Sequence, residues 1–427
     1  MSKHHNKHKP QQKQPHHKGT STGHSPAATP APSAAAAPLS LTDPHAWRFE
    51  ALDTWFFRES RPLDAVGGAQ LTSHFPPPAR TLIGAIRTTL GDALHANWAD
   101  YRTNPEHPLR RLIGSPDDLG PLRFTGPYPM RDGQRLYPAP LVVMQRQEAD
   151  AAGKAQVDFT RLQPGDAPVA CDLGRVRLPI KQRDLPGAKP LEGQWLTAAG
   201  LKAVLDGGTP RAADMIDAKA LCSAEPRLGI ALEHATRRPI DGLLYQTRHV
   251  RPGADVAVGI TLEGFDPLHW PAHLFAAKGL ARLGGEGRPA AWERQAPDAL
   301  PATDLPHGHK RLMLCLLGPA RFTQGWLPDG FAPQTDADGQ VTGWLGELAG
   351  RPARLVCAVT GKPVREGGWS LAGDRPRDLH ALVPAGSCYF LEFERAEDAR
   401  AVAQACHGRQ IGQDTAWGGG QVAVGRW

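Results

Sequence analysis

Residues 55–90 read WFFRESRPLDAVGGAQLTSHFPPPARTLIGAIRTTL, and the succession of residue types in this stretch decides how the fold begins. An aromatic run gives way to arginines, a Gly-Gly pair and three prolines, and then to helical spacing. Just upstream, the aromatics of WRFEALDTWFF (47–57) predict a strand. Pro76–Pro78 stop the chain, and Pro78, with its φ already helical, fits the first position of a helix. From Ala79 onward Leu82, Ile83, Ile86 and Leu90 share one face, which predicts an amphipathic helix with Arg80 and Arg87 projecting elsewhere.

The segment between strand and helix has a chemistry of its own. Arg58 and Arg61 are bidentate donors, and Gly67 and Gly68 let a backbone come close. The start of the helix, with Arg80 and Thr81, offers unpaired N–H groups and a partial positive charge. Together these suit a phosphodiester chain. The same glycines and prolines also serve a plain turn, in which Arg58 pairs with Glu59 or Asp64.

Outward from this stretch, 427 residues with 41% hydrophobic content allow two compact domains with a sizeable core. No run approaches the ~18 apolar residues of a membrane helix, and the N-terminus lacks the apolar segment of a secretory signal. A cytoplasmic protein with no membrane partner is expected. Six cysteines without a CxxC spacing read as reduced core residues rather than a metal site. Of the net charge of +6, the first 42 residues carry +5, from Lys3, Lys7, Lys9, Lys13 and Lys18, so any basic surface on the folded body is local. Arginine outnumbers lysine 36 to 13, which suits phosphate binding and stacking and equally follows from a GC-rich genome.

The composition of residues 1–42, rich in Lys, His, Pro and Ala, predicts a disordered arm. Residues 91–220 are dense in turn signals and read as an irregular insertion with short strands. Further on, ADVAVGITL (254–262), HKRLMLCLLG (309–318), ARLVCAVTG (353–361) and SCYFLEF (387–393) read as strands. AEDARAVAQACHG (396–408) reads as a helix with Ala401, Val402, Ala405 and Cys406 apolar, and Gln421–Val424 as a last short strand. The expectation is an α+β fold of two ferredoxin-like (RRM-like) domains, an N-terminal one over 43–252 with insertions and a C-terminal one over 253–427. Near the end, Trp417 offers a stacking face, and Gly418, Gly419 and Gly420 could expose successive N–H groups as an anion nest; a tight turn beside a core tryptophan is the competing reading. Gly284 and Gly285 in LGGEGR (283–288) would form a turn from which Arg288 reaches a phosphate, unless Glu286 pairs with it. Arg248 and Arg251 beside His249 form another local basic cluster.

The run RFEALDTWFFRESRPLDA, followed by GG and LTSHFPPPARTLIGAIRTTLG, resembles the opening signature of the third Cmr-module subunit of type III-B CRISPR effector complexes. That subunit is a repeat-associated mysterious protein (RAMP) of the branch that caps the 5′ handle of the guide RNA. LGGEGR, the segment GIALEHATRRPIDGLLYQTRHVR (229–251) and the glycine-rich end IGQDTAWGGGQVAVGRW are similar to further family stretches, in the same order. The resemblance implies two RAMP domains and a non-catalytic subunit. Its partners would be the crRNA 5′ handle, the large polymerase-like subunit and the neighbouring backbone RAMP subunit, with no cofactor. It raises the weight of Arg58, Arg61, Gly67, Gly68, Arg80, Thr81, Arg87, Arg248, Gly284, Gly285, Arg288, Trp417, Gly418, Gly419 and Gly420 as RNA contacts. Two other readings remain. His74 could serve as the base of a metal-independent RAMP endoribonuclease that processes guide RNA, although no partner acid is evident. Alternatively, the arginine loop could dock another protein subunit. His307 and His309 have no third ligand at metal-site spacing, and no phosphate-binding Walker loop is present.

Overall fold

The first strand, His45–Ala51, sinks Trp47 and Phe49 into the core and pairs on both edges. Val256–Glu263 lies antiparallel on one side and Arg288–Gln295 on the other. This is the computed structural model of the chain, and it describes residues 44–58, 70–149, 155–233, 235–264, 277–370, 373 and 375–427. The arm expected over 1–42, together with Arg61, Gly67 and Gly68, lies outside these residues.

Across the first sheet the order is Lys278–Leu283, Arg288–Gln295, His45–Ala51, Val256–Glu263, Arg123–Arg131 and Trp417–Gly418. Numbering its four long central strands along the chain gives the spatial order 4-1-3-2. The helix Ala79–Ala93 covers one face with Leu82, Ile83, Ile86 and Leu90, the residues its periodicity selects. Pro78 stands one place earlier than expected, at the N-cap with ψ 140°, because three consecutive prolines hold extended backbone up to the first helical residue. The strand expected over 47–57 ends at Ala51. Beyond it, only Trp55 and Arg58 make single bridges, to Val250 and Ser73.

The second sheet runs Phe331–Thr335, Val341–Leu348, Arg351–Val359, Cys388–Glu392, Arg311–Leu316 and Val422–Arg426. Its last four strands repeat the 4-1-3-2 order, with the hairpin 331–348 inserted between the first and second. Helix Ala396–Cys406 packs on it through Ala399 and Val402, with Cys406 also buried; Ala405, expected on the apolar face, is exposed. The apolar run Leu312–Leu317 does not alternate because both faces of this sheet are covered. Leu312, Leu314 and Leu316 join the helix side, whereas Met313, Cys315 and Leu317 meet a second layer built by the 137–217 region. In that layer helix Ala198–Leu205 lies so close to the last strand that an added Cβ at Gly425 would strike the Leu205 backbone. The insertion expected as part of an N-terminal domain therefore packs on the back of the second sheet. The expected boundary at 252/253 also cuts through the first sheet, since Val256–Glu263, Lys278–Leu283 and Arg288–Gln295 belong to it; the change of sheet falls between Gln295 and Arg311. All six cysteines are unbridged, and Cys315, Cys357, Cys388 and Cys406 are buried.

One buried cation joins the two sheets. The Arg135 guanidinium lies 4.0 Å from the Tyr128 ring centroid and 5.0 Å from that of Tyr137, and it donates to Gln421 Oε1 at 2.6 Å. Burial pulls this guanidinium below its usual pKa, and the two phenols beside it oppose that. Cation–π contact and one charge-assisted hydrogen bond replace the hydration it has lost. Arg135→Ala leaves a cavity and an unpaired Gln421. It should lower stability by about 2–4 kcal/mol, while the volume-matched Arg135→Met should lose less; denaturant unfolding followed by tryptophan fluorescence measures both.

Candidate nucleic-acid interface

The glycine-rich tail reaches the first sheet because two of its residues pair there. Trp417 and Gly418 run parallel to Phe124 and Thr125. Gln410 Nε2 fixes the same place by donating to the carbonyls of Phe124 at 2.6 Å and Thr415 at 2.8 Å. Gly418 and Gly420 have φ of +94° and +73°, and a Cβ on either would run into a carbonyl oxygen, of Gly126 and Ile411 respectively. These positions therefore need glycine.

The expected anion nest is not formed. The Gly418 N–H donates to Thr415 O at 3.0 Å and the Gly420 N–H to Pro319 O at 2.8 Å, so two of the three donors are already taken within the protein, one in the turn itself and one by the chain that follows strand Arg311–Leu316. Its effect is to bring Trp417 beside the start of the helix Ala79–Ala93. There the Arg80 guanidinium covers the indole, 4.0 Å from the ring centroid. Arg80, Trp417 and Gly419 line a cleft of about 330 Å³.

The remaining wall comes from residues that sequence reasoning missed. Arg80 Nε faces Glu366 Oε1 at 3.8 Å. Arg321 pairs with Asp414 at 3.0 Å, and Arg377 with Asp117 at 3.0 Å. Arg375, Asp378, His380, Ser370 and Gln413 add to the polar lining. Burial pushes the Glu366 carboxyl above the usual carboxylate range, with Arg80 pulling the other way, and burial also lowers the Arg80 guanidinium. The charged run GDRPRD (373–378) was the one local signal that could have pointed to this wall.

The other expected contacts fall elsewhere. Thr81 lies in the first helical turn, its N–H bonded to Pro78 O at 3.0 Å. Arg87 is turned into the protein, donating to Tyr101 Oη at 2.9 Å and Ser115 O at 2.6 Å. Gly284 and Gly285 pack against the Phe56–Phe57 backbone, and the Gly285 N–H donates to Phe56 O at 2.8 Å. Arg288 is held by Glu286 at 2.7 Å, the pairing that competed with a phosphate role. Arg58 is exposed and bridges Ser73, outside the cleft lining, and Arg248 is exposed on a long hairpin. His74 is exposed, its backbone N–H donating to Phe57 O at 3.1 Å. Among the described residues no group of His, Cys, Asp or Glu could hold a metal, and no helix is long and apolar enough to cross a membrane.

That hairpin, Cys222–Leu232 with Pro239–Pro252, leaves Leu228, Ile230, Leu232 and Leu244 largely exposed. Its root is clamped by two carboxylates and two arginines: Arg227 and Arg251 each reach both Asp53 and Glu225, at 2.6–3.0 Å. Arg227 and then Arg251 hold both carboxyls below their ordinary range. A depressed carboxyl contributes stability above its unfolded pKa, about 4, and loses it as pH falls below that. The protection against amide exchange at Trp55 and Val250, which bond reciprocally at 2.8 Å beside this clamp, should fall below about pH 4, with exchange moving toward the intrinsic rate.

Gly418→Ala forces a side chain into left-handed backbone and against Gly126. It should cost more than about 1–2 kcal/mol and detach Trp417 from the cleft, read as a lower melting temperature together with altered tryptophan emission.

A chain in a cryo-EM structure of type III-B Cmr-beta bound to cognate target RNA and AMPPnP is 14% identical, with 81% of this chain and 86% of that chain covered and a TM-score of 0.40. A chain in the crystal structure of the Csm3-Csm4 subcomplex of the type III-A CRISPR-Cas interference complex is 10% identical, with coverages of 82% and 93% and a TM-score of 0.32. No curated protein matches. The family model described as CRISPR-associated protein (Cas_Cmr3) matches residues 47–427, nearly the whole chain beyond its Lys/His-rich start, and the chain belongs to that family.

Proposed function

We propose that this chain is a non-catalytic, RNA-binding subunit of a type III-B CRISPR effector complex. In this reading it holds the 5′ handle of the guide RNA and joins the large polymerase-like subunit to the backbone. The observation that carries the reading, beside family membership, is the meeting of the Arg80 helix start with the Trp417–Gly420 tail at one cleft. Guanidinium planes, aromatic faces and helix starts are the features by which proteins hold single-stranded RNA. The exposed Arg58 and Arg248 would lie along the sugar-phosphate path, whereas Arg87 and Arg288 belong to the protein's own framework.

Two ferredoxin-like RAMP domains fit the repeated 4-1-3-2 strand order. In the second, the hairpin 331–348 takes the place of the first helix. The apolar hairpin Cys222–Leu232/Pro239–Pro252 supports docking of a partner subunit, since exposed apolar surface of this extent marks interaction sites.

Fluorescence anisotropy of the full chain with single-stranded repeat RNA tests this. Affinity should fall steeply between about 50 and 200 mM salt. Arg58→Ala with Arg80→Ala should weaken binding about tenfold or more, with a flatter salt slope, and the RNA should remain intact on a gel. Unchanged affinity and slope in the double variant would defeat the reading. Site-specific cleavage lost in His74→Ala would replace it with the endoribonuclease.

A further inference from the structure

Among the described residues, the cleft beside Trp417 is lined by as many carboxylates as guanidinium groups. Arg80, Arg321 and Arg377 each face an acid across 3.0–3.8 Å, and Arg375 is matched by Asp378 on the same wall. A phosphate here would meet carboxylates as readily as arginines, so the site carries no net attraction for an anion. It offers alternating donors and acceptors around a stacking plane, with a volume of about 330 Å³. That is the complement of a nucleobase edge.

We propose that this cleft takes a base of the bound RNA rather than its phosphate, and that the base is guanine. The proposal rests on the RNA-binding reading above and goes beyond it. Guanine has two adjacent donors, N1–H and the N2 amino group, which fit the two oxygens of one carboxylate. Its O6 and N7 accept from one guanidinium in the bidentate fashion common in base recognition. Adenine and cytosine present a single amino donor, and uracil a single ring N–H, so none of them satisfies a carboxylate twice. The Arg80 guanidinium, already laid on the indole, supplies the plane on which the base stacks. Glu366, opposite Arg80 in the same wall, is the carboxylate placed to receive guanine's paired donors. The phosphates on either side would then run out toward exposed arginines such as Arg58.

The full chain can be titrated with fluorescent single-stranded uridine octamers that carry one guanosine at each position in turn. At one position guanosine should tighten binding about tenfold over the all-uridine octamer, the size of one good bidentate contact. Inosine there, which lacks the N2 amino group, should give back most of the gain. The preference should vanish in Glu366→Gln, first checked by melting temperature. Octamers that bind equally wherever guanosine stands overturn the proposal, as does a preference that survives Glu366→Gln or matches inosine. Uniform tightening of every octamer by Glu366→Gln, with no change in base preference, would instead mark a phosphate seat. Failure of all octamers to bind defeats the RNA-binding reading itself, a result distinct from base-indifferent binding.

Discussion

Two residues near the C-terminus hold the molecule's functional geometry together. Trp417 and Gly418 close the edge of the first sheet, and four residues later the same chain enters the second sheet as Val422–Arg426. A single short segment is thus shared between two β-layers, and the only backbone that makes the turn has left-handed φ at Gly418 and Gly420. Gln410 and Gln421 brace the turn from either side, one bonded to the Phe124 carbonyl and the other to the buried Arg135. The wall of the cleft follows from this crossing, since Arg80 has an indole to lie on only because the tail is fastened there.

The arginines divide by partner rather than by position in the sequence. Arg135 is buried against two tyrosines, Arg161 donates to the Val204 carbonyl, and Arg87 spans a helix and a loop. Arg227, Arg251 and Arg288 are absorbed by Asp53, Glu225 and Glu286 around the hairpin root. A guanidinium inside a protein costs least when planar partners surround it, and these side chains brace joints that a lysine could not brace. Part of the arginine count is therefore framework, which is why a high count by itself reports poorly on nucleic-acid binding.

Elements set by local spacing were legible in the sequence. The helix from Ala79, the helix from Ala396 and the apolar strand around Leu314 each follow from periodicity within a dozen residues. The pairing of Trp417 with Phe124 has no local signature, because it joins positions nearly three hundred residues apart through two backbone contacts. The cleft was half legible for the same reason. Arg80 and Trp417 stood out as residue types in suggestive company, whereas Glu366, Arg321 and Arg377 gain meaning only once the loops that carry them meet. Residues 91–220 read only as an irregular insertion with short strands because the strands of the 137–217 layer are two to ten residues long and broken by Pro and Gly. Its register is imposed by the sheet it covers.

That covering layer has an evolutionary corollary. Met313, Cys315 and Leu317 face it from one side of a strand whose other side faces a helix. A lineage that shed the 137–217 region would bare a greasy plane at the molecule's centre, so the segment could be trimmed only in step with polar replacements on the strand beneath. Lobe length and the hydropathy of alternate residues in 311–317 should therefore change together among descendants of this chain.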